Sequence, residues 1–440
     1  MTGRFDNIHP ELTCKQARKI LLQSIDDLDS QSDYYMAASH LINCPGPETE
    51  RSLADFLGCS QNEQAVKIAK RKAVEVLGRL GATSLISNIG QCLWSDDQYL
   101  VENTVYALKQ LNCRELSLVQ KMQSLLQENA DNQRILIQCL SSLSARESLS
   151  LLSEFQFAES PGIRGAAISA IVQHTGDTSK LSVIVHHLTL PNQMDRQCAI
   201  QDLIDARALE CLCSIVSAPV SPTFRLRACR LLIATEDLDS QSEKFLPLVD
   251  SLLVDNPDDV EIIHRYDAAD PDAAFLIRDL FNTDFSRCYL ALKSLRRCSA
   301  ARLWPLIIKT WEEEAYNDYG AHYFFMRLFG SRTDWPADSM DCILDILKSA
   351  AVNRRPQFQK SRSAAIYSIS QLNPSLFLEL IPGFLNKKCM PSWDCRYILI
   401  VAFESISEDV DFQRERWLMD LLADDDDVFV QARLMFKNSL

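Results

Sequence analysis

The sequence has no excess of positive charge: 45 Lys and Arg stand against 59 Asp and Glu, for a formal net charge of −14. Nucleic-acid binders need a basic stripe along the phosphate backbone, so no nucleic-acid partner is expected. Long hydrophobic runs are also missing. No stretch approaches the roughly 18 uninterrupted apolar residues that cross a bilayer, and the start, MTGRFDNIHPEL, lacks an apolar core of signal-peptide length. The expectation is no membrane insertion and a cytoplasmic location. The 15 cysteines form no CxxC pair. Cys139, Cys198 and Cys229 fall among Leu, Ile and Ala at helical spacing, where a thiol packs as a small apolar group, so the cysteines are expected to be reduced and structural. HExxH and paired Cys/His spacings are absent, which argues against a metal. GxSxG, P-loop and GxGxxG are absent too, leaving serine-hydrolase, NTPase and dinucleotide chemistry unsupported. Nor is there any strand-like alternation of period two.

What is present is a repeat. Arg71–Gly81, RKAVEVLGRLG, aligns with Glu102–Asn112, ENTVYALKQLN, and in each copy Val74, Leu77 and Leu80, or Val105, Leu108 and Leu111, draw one apolar stripe on a helix. The central position can be followed as Leu77, Leu108, Leu140, Ile171, Leu203 and Leu232, in steps of 31, 32, 31, 32 and 29. Gly81, Thr175-Gly176-Asp177, Pro191-Asn192, Pro219 and Pro222 punctuate the turns. Each unit reads as a marker helix, a short turn and a second apolar helix. The predicted fold is all-α, a HEAT-like α-solenoid in which two-helix repeats near 30 residues wind into a right-handed superhelix. A chain of 440 residues exceeds one compact core, and stacking repeats solves that. Residues 33–235 carry regular repeats and 236–440 degenerate ones, in one continuous solenoid with a soft junction at 216–224. The run Asp424–Asp427 reads as a solvated turn, because an EF-hand's alternating ligands and central Gly are missing.

Two segments interrupt the apolar rhythm. In the first, Trp94-Ser-Asp-Asp-Gln-Tyr-Leu-Val-Glu-Asn103, either Asp96 or Asp97 is able to cap the following helix, while Glu102 and Asn103 face inward or outward with equal weight. Nearby, Arg71, Glu75 and Arg79 recur every four residues, either as a solvated ion-pair ladder or with an Arg free for a ligand carboxylate. In the second, Tyr316-Asn-Asp-Tyr-Gly-Ala-His-Tyr-Phe-Phe325, an acid, an imidazole and three phenols precede Arg327. They either wedge two helices together or surround a flat conjugated ligand as proton donors and acceptors.

The words DYYMAASHLI, IAKRKAVEVLGRLG and LWSDDQYLVENTVYAL resemble characteristic segments of the E/F-type phycobilin lyases of cyanobacteria, HEAT-repeat proteins that attach linear tetrapyrroles to phycobiliprotein cysteines. The likeness is close over residues 33–112 and extends to 232. A single long chain is most similar to the members acting on phycoerythrin, some of which also isomerise phycoerythrobilin to phycourobilin. The motif Asn-His-Cys-Gln-Gly-Asn of a phycoviolobilin-forming isomerase is absent.

The resemblance implies that an acceptor thiolate adds to the ring-A ethylidene group of the bilin, and that where a proton then lands decides the product. It also implies a phycoerythrin subunit, the α subunit, as acceptor, with phycoerythrobilin as substrate and no tightly bound cofactor. On this footing Asp97, Glu102 or Asp318 pairs with the pyrrole N–H groups, with Asn103 beside them, and Tyr319 or His322 manages the proton. Arg71, Arg79 or Arg327 meets the propionates, and Trp94 and Tyr99 stack on the rings. The superhelix is then expected to curl enough to join the two segments. The competing expectation is a non-catalytic HEAT adaptor that binds a protein on its concave face.

Overall fold

The computed structural model describes residues 11–128, 131–143, 145–267, 271–386, 391–406, 417–418 and 420–437, and among these every regular element is helical and no strand occurs. The chain divides into two compact units, Met1–Lys180 and Leu181–Leu440.

The repeat is built as its period requires. Leu77 lies in the helix Gln64–Leu80, Leu108 in Gln98–Gln110, Leu140 in Gln133–Leu143 and Leu203 in Gln193–Asp205, all fully buried. Each of Leu77, Leu108 and Leu203 also accepts a hydrogen bond at its carbonyl from the amide five residues on: Ala82 at 3.2 Å, Cys113 at 3.0 Å and Ala208 at 3.0 Å. These bonds close Schellman-type ends, which need a left-handed residue just past the helix. That residue is Gly81 (φ 74°), Asn112 (φ 50°) and Arg207 (φ 54°), so one turn geometry recurs although only the first copy uses glycine. Ile171 departs from the pattern. Its helix, Pro161–Thr175, buries a broad face from Gly165 to Ala170 plus Val172, leaving Ile171 half-buried, and it ends through a Gly176 amide bond to Val172.

Cys14 and Cys44 form a disulfide, with Cα atoms 5.8 Å apart, against the expectation of reduced thiols throughout. The helices Cys14–Ile20 and Asp33–His40 pack together and bring the two cysteines side by side across 30 residues of sequence, a spacing with no local signature. His40 lies beside them, and the three side chains place potential ligand atoms within 4.8 Å of one another. The sulfurs are bonded to each other, which commits both. Twelve other described cysteines are free thiols.

Beyond residue 240 the expected helical texture is present, including Phe285–Leu295, Ala300–Thr310, Ala321–Gly330, Met340–Ala351 and Gln359–Leu372. The sequence also predicts a helix over Gln413–Leu422, which falls largely outside the described residues. Trp311–Ala315 is a π-helical turn immediately before the second polar segment, a local geometry that recurs at functional sites. No described helix is long and apolar enough to cross a membrane.

Candidate functional site

Within the second unit the helices line an open cavity of about 560 Å³, inside the size range of small-molecule sites. Leu226 and Arg230 of the helix Pro222–Leu232, Leu252 and Leu253 of Thr235–Val254, Tyr319, Tyr323, Lys360 and Trp393 line it. Apolar walls carrying a few polar atoms suit a flat, largely hydrophobic ligand with polar edges.

Asp255, at the end of the helix Thr235–Val254, anchors this region. It is a fully buried non-glycine residue in the left-handed conformation (φ 45°), a strained position held by its partners. Its Oδ1 accepts from Arg225 Nη2 at 2.8 Å, and its Oδ2 accepts from the Tyr289 hydroxyl at 2.6 Å and from the Tyr323 hydroxyl. Burial pushes the carboxyl up, but Arg225, Arg327 and the two hydroxyls overcome it and hold the group below the usual carboxylate range. Burial drives Tyr289 and Tyr323 well above the usual phenol range, so neither releases a proton near neutrality.

Lys360 projects from the start of the helix Gln359–Leu372. Its ammonium meets ring faces rather than a carboxylate, 4.8 Å from the Phe285 centroid, 4.8 Å from Tyr319 and 5.6 Å from Tyr323. Burial is the main cause that pulls this amine down to about 8, against the opposing influence of Cys288, Asp318 and Asp255. On another wall Arg230 lies between Trp393 (4.5 Å) and Phe429 (5.0 Å) and pairs with Asp427 at 2.9 Å. Asp425 pairs with Arg396 at 2.6 Å. The acidic run is therefore not simply a solvated turn: three of its carboxylates, Asp425, Asp426 and Asp427, pair with arginines of the same unit.

The second polar segment is divided by its surroundings. Tyr319 stands 58% exposed at the cavity rim. Asp318 caps the helix Ala321–Gly330, accepting from the amides of Gly320 (2.9 Å) and Ala321 (2.7 Å), which fixes the turn before that helix where Tyr319 sits. His322 is buried, stacked on Phe358 at 4.4 Å and tilted against Trp311 at 5.1 Å. Burial, with Lys360 and Arg355 nearby, lowers it to about 4, so it stays neutral and serves packing, and it does not line the cavity. Arg327, one helical turn beyond Tyr323, is 8% exposed; its Nε and Nη1 have no hydrogen-bond partner, and its guanidinium lies 5.6 Å over the Tyr367 ring. It borders a second cavity of about 230 Å³, together with Asn256, Arg296 and Gln371.

In the first unit a cavity of about 440 Å³ gathers Lys67, Lys70, Arg71, Asp97 and Tyr99. Asp97 caps the helix Gln98–Gln110 through the amides of Tyr99 (3.1 Å) and Leu100 (3.3 Å) and accepts from Arg71 Nε at 2.8 Å, while Arg71 covers the Tyr99 ring at 4.6 Å. Arg79 does not join this group; it pairs with Glu75 at 3.1 Å, and Lys72 pairs with Glu75 at 2.6 Å. Trp94 is 54% exposed with Lys121 over its ring, Glu102 is exposed and Asn103 is half-buried, and none of the three lines the cavity. The two polar segments thus fall in different compact units, each beside a cavity of its own.

No protein-family profile matches the chain. Full-length relatives are decisive instead. The chain is 46% identical over 413 residues to the bilin biosynthesis protein CpeY of Synechococcus sp. (strain WH8020), covering 94% of this chain and 98% of that protein. The chain belongs to the E/F-type phycobilin lyase family. The lyase is also 33% identical over 428 residues to the uncharacterized phycocyanin operon protein Y of Pseudanabaena tenuis (strain PCC 7409), covering 96% of this chain and 97% of that one. Among solved structures, the complex of CpcE and CpcF of phycocyanin lyase from Nostoc sp. PCC7120 matches at 22% identity and a TM-score of 0.47, over 57% of the lyase and 99% of that chain.

Several groups at the lyase's main cavity have no sequence signature. Lys360 in its wall, and Arg225, Asp255 and Tyr289 behind it through the bond from Tyr323 to Asp255, are scattered along the chain and meet only on folding. Tyr323 alone belonged to a segment already conspicuous for its phenols.

Proposed function

We propose that this bilin lyase attaches phycoerythrobilin to a cysteine of a phycoerythrin subunit, the α subunit, by forming a thioether, and that the bilin occupies the 560 Å³ cavity of the second unit. The observation that carries this placement is the cavity itself: an apolar chamber with Tyr319 at its rim and Lys360 and Tyr323 in its wall. Asp318 positions Tyr319 through the helix cap rather than touching a pyrrole directly. Arg327 borders the separate 230 Å³ cavity of the same unit, where its two unmet buried donors suit a propionate arm reaching beyond the main cavity, since a carboxylate satisfies both the charge and the hydrogen bonds.

The first-unit cavity is less suited to the pyrrole N–H groups. Taking Asp97 for that purpose means parting it from Arg71 and from two capped amides, which costs about 1–3 kcal/mol before any gain. Arg71, Arg79, Trp94, Tyr99, Glu102 and Asn103 then remain as surface that the acceptor protein would meet.

Co-expression of the full chain with phycoerythrobilin synthesis and a phycoerythrin α subunit tests the proposal. The expected result is chromophore that stays on the acceptor after acid–urea denaturation. Its absorbance also reports whether phycourobilin is formed. A phycocyanin subunit run in parallel tests the second acceptor class, which the operon name of one relative favours. Failure to bind or transfer bilin to either acceptor would leave the adaptor reading in its place.

A further inference from the structure

We propose that Lys360 is the proton donor of the attachment step, delivering a proton from its ammonium to the bilin carbon left electron-rich when the acceptor thiolate adds. This rests on the lyase reading and on the bilin lying in the 560 Å³ cavity. Lys360 lines that cavity and has its charge directed at three aromatic faces, those of Phe285, Tyr319 and Tyr323, where a flat conjugated ligand would extend the same stack.

The other polar groups of the chamber are poorly placed for the task. Arg227 and Arg230 carry guanidiniums that do not release protons. The Tyr323 hydroxyl is spent on Asp255. Tyr319 is open to solvent. The groups facing Lys360 from neighbouring elements are Asp318, Asp255, the Cys288 thiol and the His322 imidazole, which stays neutral above about 4, with the two tyrosines. Cys288 is itself held protonated by burial and does not compete. Desolvation leaves the amine at about 8, close to a working pH, where an acid is both mostly charged and able to give up its proton.

The step balances without a further reagent. The acceptor thiol loses its proton to water, and a sulfur electron pair forms the C–S bond to the outer carbon of the ring-A ethylidene double bond. The π pair moves into the conjugated ring system. One N–H of Lys360 then transfers its proton to the inner carbon, leaving a neutral amine that water re-protonates. Nothing is oxidised and no group leaves. Delivery to the methine bridge instead would shift the double bond, so the placement of one ammonium bears on product colour as well as rate.

Three full-length proteins, the wild type, Lys360→Met and Lys360→Arg, are compared for thioether formation with phycoerythrobilin and a phycoerythrin α subunit, and separately for non-covalent bilin binding by absorbance. Lys360→Met should bind bilin yet attach it roughly 10²-fold more slowly. Lys360→Arg keeps the cation and its ring contacts but is too weak an acid, so it should remain slow, whereas a purely structural or steering role would be rescued. The wild-type rate should also fall as pH rises through about 8, a limb that the Arg variant lacks. Wild-type rates in Lys360→Arg, or a wild-type profile with no alkaline limb, overturn the assignment. Attachment missing from the wild type itself brings down the lyase reading, and this inference with it.

Discussion

Tyr319 and Arg327 show how much a residue's surroundings decide. Tyr319 sits in the turn that leads into the helix of Tyr323 and Arg327 and is exposed at the cavity rim, while Arg327 is buried with two nitrogens unmet. Relief of two unmet buried donors offsets the loss of a charge that helps hold the Asp255 carboxylate, so replacing Arg327 with Met should leave folding within about 1 kcal/mol of wild type. The same change should weaken bilin binding by roughly 10-fold or more, the value of a charge-assisted hydrogen bond. Urea melts and bilin titration of one variant measure the two effects; equal losses in both would mark Arg327 as structural. Tyr319→Phe removes only a rim hydroxyl, so it should lower yield or change product colour with the melting curve unmoved. Unaltered yield and colour in both Tyr319→Phe and Asp318→Asn would remove this segment from the site. His322 belongs to the packing by contrast, because desolvation keeps it neutral above about 4.

At the scale of elements, the cavity depends on the close approach of the helices Ala321–Gly330 and Gln359–Leu372, which carry Tyr323 and Lys360. Gly330 makes that approach possible: a Cβ there would stand 2.6 Å from the Ser368 Cα and 2.5 Å from its Cβ. Since the obstacle includes backbone, Gly330→Ala should cost about 1–3 kcal/mol and push the helix carrying Lys360 outward, lowering bilin affinity along with stability. Calorimetry and bilin titration should move together for this variant, unlike Arg327→Met. The repeat turns follow a different logic. Gly81, Asn112 and Arg207 all take the left-handed conformation, so the geometry belongs to the 31-residue unit and glycine is merely its easiest occupant.

For the whole molecule, the two compact units carry separate stabilising devices, a disulfide in the first and the Asp255 cluster in the second. Removing one partner from a buried ion pair strands the other, so Asp255→Ala should cost about 3–5 kcal/mol. The pH dependence has a definite sign. The Asp255 carboxyl is held below its ordinary value, so its contribution is complete above about 4 and disappears as pH falls through the lowered value. Acid should therefore weaken the wild type more steeply than Asp255→Asn, as urea midpoints measured across that range will show; parallel curves would contradict it. In the first unit, Cys14→Ser should lower stability by about 2–4 kcal/mol, because the crosslink restrains a loop of 30 residues in the unfolded chain. Reductant should reproduce that loss in the wild type and leave the variant unchanged.

The sequence by itself determined the helical class, the repeat period, the buried markers Leu77, Leu108, Leu140 and Leu203, and the family, because each of these is written in local spacing or in contiguous words. It also singled out Tyr319 and Arg327. Capping by Asp97 was legible as one of two alternatives with Asp96, whereas the same use of Asp318, read from the sequence as a pyrrole partner, emerged only from the structure. Tertiary structure decided the rest. Only packing joined Arg225, Asp255, Tyr289 and Tyr323, paired Cys14 with Cys44, neutralised His322 and left Lys360 among rings. These outcomes depend on desolvation and on contacts between residues far apart in the chain, and no local period encodes either.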